Sequence, residues 1–230
     1  MTGLRKRYGS LQAVDGIGFV ARPGRVTGFL GPKGAGKSTT LRVLLGLARG
    51  DGGLATIHGR RYADLRHPLR TVGALLDEAG PLPERRAVDH LRWLALSNSI
   101  PRRRVREVLE LAGLAASARR RTGRYSLGLR RRLGIAAALL GDPEVLILDE
   151  PANGLDPDGI RWVRRLARES AAEGRTVLLS SHAMADVAET ADDVVIIHRG
   201  RIAADGPLGT VAAGHGTLEA AFFALTGEAR

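Results

Sequence analysis

Residues 31–39 read GPKGAGKST and constrain this chain more than any other segment. Gly31, Gly36, Lys37 and Ser38 stand at the fixed places of the pattern G-x-x-x-x-G-K-[ST], with Pro32, Lys33, Gly34 and Ala35 between them and Thr39 after. Before the loop, Val26-Thr27-Gly28-Phe29-Leu30 reads as a buried strand; after it, residues 39–46 read as the start of a helix. A loop joining strand to helix in this way points successive backbone N–H groups and the positive end of the helix dipole at one place, where an anion binds. Glycine is needed there because a Cβ would hold phosphate oxygens away from the backbone. The spacing lets Lys37 reach β- and γ-phosphates and offers the Ser38 hydroxyl to Mg²⁺.

Composition supports the same segment. Of the 35 Lys and Arg residues only three are Lys, and two of those, Lys33 and Lys37, fall in the loop. A chain that otherwise carries positive charge as Arg keeps Lys where a compact, rotatable ammonium is required. Cysteine is absent, so disulfides and thiolate metal sites are excluded and a reducing compartment is expected. No apolar run approaches the ~18–20 residues that span a bilayer, and residues 1–10 show no leader pattern. The net charge of +11 raises nucleic acid or an anionic surface as partners, but aromatics are only 4% and no stacking surface is evident. No nucleic acid is expected.

Strand and helix patterns alternate along the chain, which predicts an α/β domain with a mostly parallel sheet. Residues 11–26 read as an antiparallel strand pair turning at Arg22-Pro23-Gly24. Further strands are expected at residues 26–30, 71–76, 145–148, 176–179 and 194–197. Helices are expected at 88–96, 102–112 and 129–140. The expected organisation is one domain over residues 1–230. Its core covers roughly 1–83 and 141–215, a helical subdomain is inserted at roughly 84–140, and a short amphipathic helix lies at 216–226.

Leu146-Ile147-Leu148-Asp149-Glu150 is an apolar strand ending in two carboxylates. In a parallel sheet ligands bind beyond the carboxyl ends of the strands, so both acids are expected to face the phosphate loop. Asp149 fits as a partner of Mg²⁺, directly or through water. Glu150 fits as the group that orients and deprotonates an attacking water. His182 closes another apolar strand and is expected to bond the γ-phosphate or that water.

These motifs, in this order, resemble the nucleotide-binding subunit of an ABC transporter over nearly the whole chain. Residues 31–39 match Walker A, 145–149 match Walker B, and Glu150 the catalytic glutamate. Tyr125-Ser126-Leu127-Gly128-Leu129 stands where the family signature LSGGQ belongs. Asn153-Gly154-Leu155-Asp156-Pro157 matches the D-loop and His182 the switch histidine. The YSLGL wording, with VGALLDEAGPLP upstream, is similar to the drug, lantibiotic and bacitracin export branch of bacteria.

The resemblance implies ATP and Mg²⁺ as ligands and ATP hydrolysis as the activity. It makes Tyr8 the aromatic that stacks on adenine. Asp77 takes the place of the usual Gln, where a carboxylate reaches Mg²⁺ or water but donates no hydrogen bond. Ser126 and Gly128 would serve a site completed by a facing copy: Ser126 lies 89 residues beyond Lys37, and the family uses it against the partner's nucleotide. Asp156 of the D-loop is implied as a further nucleotide-binding residue. The implied partners are a separate membrane permease and a head-to-tail homodimer or paired ATPase subunit. The implied place is cytoplasmic, on the inner face of the plasma membrane. The alternative is a soluble ABC-type ATPase acting on DNA or ribosomes. Neither the inserted coiled coil nor the second cassette of such relatives is seen.

Overall fold

In the computed structural model, which describes residues 1–76 and 80–227, the chain divides into two compact units. One holds residues 1–66 and 167–230, the other residues 67–166.

In the first unit, strand β1 (Thr2–Tyr8) turns through Gly9 and Ser10 into β2 (Leu11–Ile17). The antiparallel register pairs Leu4 with Ile17, Lys6 with Val14 and Tyr8 with Leu11. Strand β3 (Val26–Leu30) is buried along its whole length and feeds helix α1 (Lys37–Leu44). Strand β4 (Gly52–Leu54) pairs antiparallel with the free edge of β1.

The second unit opens with the single turn α2 (Pro68–Thr71) and strand β5 (Val72–Leu75). Helices α3 (Ala87–Ser97), α4 (Arg102–Leu111) and α5 (Leu127–Leu139) follow. Strand β6 (Val145–Asp149) then runs parallel to β5, with Leu75 in register with Leu148. Helix α4 packs between α3 and α5, and α5 lies against β5. The contact with β5 is close: a Cβ at Gly134 of α5 would fall 2.5 Å from Leu75.

Helix α6 (Pro157–Ala172) carries the chain back into the first unit. There β7 (Thr176–Ser181) and β8 (Asp193–His198) flank β3 as parallel neighbours. The single-turn helix α7 (Met184–Ala188) sets Val187 under Gly28, where a Cβ would approach to 2.2 Å; an apolar strand therefore carries glycine at that place. Strand β9 (Arg201–Pro207) returns antiparallel to β8, and α8 (Leu208–Ala212) and α9 (Leu218–Thr226) close the described chain. The Thr217 hydroxyl accepts the Ala220 N–H to start α9, and Gly227, at φ +67°, ends it.

Two expectations need correction. The antiparallel pair lies one strand earlier than residues 11–26: it is β1 with β2, turning at Gly9 and Ser10. Arg5, Lys6 and Arg7 load β1 with charge and mask its alternation. The turn at Pro23-Gly24 exists, but it passes the chain from β2 into β3, which belongs to a different sheet. The Gly24 N–H is bound by the carbonyls of Gly174 and Arg175. Strand β9 was missed because its half-buried residues carry no period of two. Its turn, Arg199-Gly200, has φ of +46° and +77°, the handedness that suits a two-residue hairpin.

Candidate functional site

The phosphate-loop sequence folds into a tight cradle at the carboxyl end of β3. Its shape is enforced by backbone groups from two neighbouring strands, β8 and β2. A Cβ at Gly31 would lie 2.3 Å from the carbonyl oxygen of Ile197, and one at Gly36 would lie 2.4 Å from that of Ala13. Gly36 also sits at φ +110° and Gly34 at +82°, in the left-handed region that side chains disfavour. The Gly200 N–H donates to the Ala35 carbonyl at 3.0 Å, and the Ala35 N–H to that of Pro32 at 3.2 Å. These contacts bury Ala35 and leave Lys33 and Gly34 exposed at the crest.

Helix α1 begins at Lys37, two residues earlier than its sequence pattern indicates, with Gly36 as its N-cap. The Thr40 N–H and hydroxyl both bond the Gly36 carbonyl, at 2.9 and 2.8 Å. Gly36 has no side chain to cap the helix, so the first-turn N–H groups remain directed at the cradle. Lys37 is 6% exposed, and its ammonium donates to the carbonyls of Gly31 at 2.6 Å and Pro32 at 3.3 Å. Ser38 is exposed and Thr39 half-buried.

Parallel pairing brings a second strand end to this cradle. Ser181, the last residue of β7, is in register with Leu30, the last of β3. His182 therefore leaves the sheet beside the point where the loop begins, and it is exposed. Tyr8 is half-exposed at the end of β1. Its strand partner Leu11 lies two residues before Ala13, whose carbonyl limits Gly36.

The second unit gathers the other candidates. Asp149 ends β6 and is 1% exposed. Glu150 follows at φ +49°, an unusual conformation for a residue with a side chain, and its carbonyl accepts the Asn153 N–H at 3.1 Å. Such strain costs about 1–3 kcal/mol and concentrates at functional positions. Asp156 caps α6 through Oδ1, which accepts the Gly159 N–H at 2.7 Å. Ser126 caps α5, its hydroxyl oxygen accepting the Leu129 N–H at 3.2 Å while its own proton can still be donated outward. Gly128 lies against the loop after Glu150: a Cβ there would be 3.3 Å from the Gly154 carbonyl. Asp77 lies outside the described residues.

Two contacts of this unit were not read from the sequence. Leu127 covers Gly154, which has φ +76° and room for no Cβ: one would fall 2.2 Å from the leucine. The Arg131 guanidinium, 8% exposed, lies 3.5 Å from the Asn153 carbonyl. Both tie the head of α5 to the loop between β6 and α6. The signal in sequence for the first is Leu127, a departure from the signature wording.

The chemistry of the groups is consistent with a bound triphosphate. The cradle takes the form that a Cβ would fill, the buried ammonium supplies positive charge, and Ser38 and Asp149 are hard oxygen donors of the kind Mg²⁺ takes.

Comparison with known proteins gives the same answer. The family model for ABC transporter matches residues 14–153. The Bacitracin transport ATP-binding protein of Bacillus licheniformis is 40% identical over 209 residues, covering 90% of this chain and 68% of that protein. The Lantibiotic transport ATP-binding protein of Streptococcus pyogenes is 34% identical over 199 residues, covering 86% of each chain. A solved ATP-binding subunit of an ABC transporter superposes with a TM-score of 0.88 at 28% identity, over 97% of both chains. With the glycine cradle, the buried Lys37 and this sequence relationship taken together, the chain belongs to the ABC transporter family, among its ATP-binding, ATP-hydrolysing subunits.

Proposed function

We propose that this subunit hydrolyses ATP to power export of a drug, antibiotic, peptide or lipid-like substrate through a separate membrane permease. The observation that carries the ATP-binding part is the buried Lys37 ammonium inside a cradle that admits no Cβ at Gly31 or Gly36. The bacitracin and lantibiotic transport relatives favour export over action on DNA or ribosomes. Among the described residues no helix is long and apolar enough to cross a membrane, so in this reading the permease supplies the passage.

In this reading the N–H groups of residues 33–39 hold the β- and γ-phosphates, and Lys37 exchanges its loop carbonyls for their oxygens. Tyr8 stacks on adenine. Glu150 takes a proton from water as that oxygen bonds to the γ-phosphorus, and the bond to the β-bridging oxygen breaks to leave ADP and phosphate. His182 holds the γ-phosphate by a hydrogen bond. Mg²⁺, held by Ser38 and Asp149 with Asp77 as a further oxygen donor, would neutralise charge on the β- and γ-oxygens.

Ser126, Gly128 and Asp156 serve the nucleotide of a facing subunit in a head-to-tail pair, either two copies of this chain or one with a second ATPase. Hydrolysis removes the γ-phosphate that both partners grip, and the pair opens. The subunit works in the cytoplasm, on the inner face of the plasma membrane.

The test is Glu150→Gln. Hydrolysis should slow ~10²–10⁴-fold while ATP binding persists, and light scattering should show an ATP-dependent dimer. Wild-type turnover by this variant would reject Glu150 as the base. A dimer that forms without ATP would reject the nucleotide-gripped pair.

A further inference from the structure

The third lysine of the chain lies outside the phosphate loop, and its surroundings are built. Lys6 and Tyr8 are two residues apart on β1, so their side chains share a face of the strand. The Lys6 ammonium stands 4.9 Å from the centre of the Tyr8 ring. Its side chain is 14% exposed, against 47% for the tyrosine beside it. The ammonium is itself held, 3.4 Å from Oδ1 of Asp51. The second oxygen of that carboxylate accepts the Arg7 N–H at 2.6 Å, and the Asp51 N–H donates to the Arg5 carbonyl at 2.8 Å. The Arg7 N–H and then the Lys6 charge hold the Asp51 carboxyl below the usual carboxylate range. A line of contacts thus runs from the β1 backbone through Asp51 and Lys6 to the ring.

We propose that Lys6 is a positioning residue for the nucleotide base: its ammonium occupies one face of Tyr8, fixes the ring, and leaves the opposite face to the purine. A half-exposed aromatic at a strand end otherwise pays rotamer entropy when a base stacks on it. A cation over the ring favours a single orientation, because the ring's quadrupole attracts it. The inference rests on the reading of Tyr8 as the base platform. It adds that base affinity is set partly by a residue that touches neither base nor phosphate.

The experiment is calorimetric titration of the full chain with a non-hydrolysable ATP analogue and, separately, with inorganic tripolyphosphate. Lys6→Met should weaken the analogue roughly two- to fivefold and leave tripolyphosphate unchanged. Lys6→Arg, which keeps the cation, should bind the analogue within about twofold of wild type. In a Tyr8→Ala background, Lys6→Met should have no further effect. An equal loss of tripolyphosphate affinity, a loss that persists without Tyr8, or failure of Lys6→Arg to restore binding would each overturn the assignment. If Tyr8→Ala binds the analogue as wild type does, the platform reading is wrong. If Tyr8→Ala weakens binding and Lys6→Met does not, only the role of Lys6 is wrong.

Discussion

The ammonium of Lys37 lies 2.6 Å from the carbonyl oxygen of Gly31, six residues earlier in the same loop. The loop is therefore closed by the cation that, in the proposed function, engages the phosphates. Charge-assisted bonds of this length are the strong ones, and the ammonium is nearly out of water. If binding exchanges these carbonyl partners for phosphate oxygens, as proposed, no solvated lysine has to be drawn inward and little ordering of the side chain remains to be done.

Lys37→Ala should accordingly weaken ATP by about 10²-fold, the scale of a lost hydrogen bond to a charged group. Equilibrium titration with ATP checks this. Lys33→Ala, at the exposed crest, should change affinity far less. Comparable losses in the two variants would remove the distinction drawn here between them.

Gly36→Ala tests the cradle by shape alone. The new methyl must meet the Ala13 carbonyl and adopt a left-handed conformation, at a cost of about 1–3 kcal/mol. For a chain of this size each kcal/mol lowers Tm by roughly 2–4 °C. Scanning calorimetry should show that decrease, together with weaker ATP binding. A variant with unchanged Tm and affinity would mean that the loop relaxes freely.

Leu127 and Gly154 should behave as a coupled pair. Gly154→Ala places a methyl 2.2 Å from the leucine and should destabilise by about 1–3 kcal/mol. Leu127→Ala opens that space, so the double variant should recover part of the loss, while the φ penalty at residue 154 remains. Denaturant titration of the four proteins measures the interaction; strict additivity would show that the two residues do not meet.

Acid should release one particular tie. The Arg25 guanidinium bonds the Asp193 carboxylate at 2.6 and 2.8 Å, with Arg22 at 3.8 Å. The bond from Arg25 is the chief reason the Asp193 pKa lies below the usual carboxylate range. A depressed folded-state pKa contributes stability above the unfolded value, near ~3.9, and that contribution disappears as pH falls through the folded value. Asp193→Asn should therefore be less stable than wild type at pH 7, and the two should converge at the acid end. Stability curves measured against pH would show it; a gap that persists at the lowest pH would point to packing instead of charge.

Strands β3, β6, β7 and β8 were legible because they are buried on both faces and stand out as unbroken apolar runs. Strands β1 and β9 were not, because charge or partial exposure hides the period of two. The helices read at residues 39–46, 88–96, 102–112, 129–140 and 216–226 came out within about two residues, since an amphipathic period extends over several turns, whereas the longest described helix, α6, was not read.

The sequence by itself determined the phosphate-loop wording, the acids that end one strand and the histidine that ends another. Residue type at fixed spacing is local information, and the chemistry of each group travels with it. Only the tertiary structure decided that Ala13 and Ile197 forbid a Cβ on the loop, that Leu127 seals Gly154, and that Asp51 holds Lys6 over Tyr8. Each of these joins residues distant in the chain, and their approach is set by strand register and backbone packing, which no short stretch of sequence encodes.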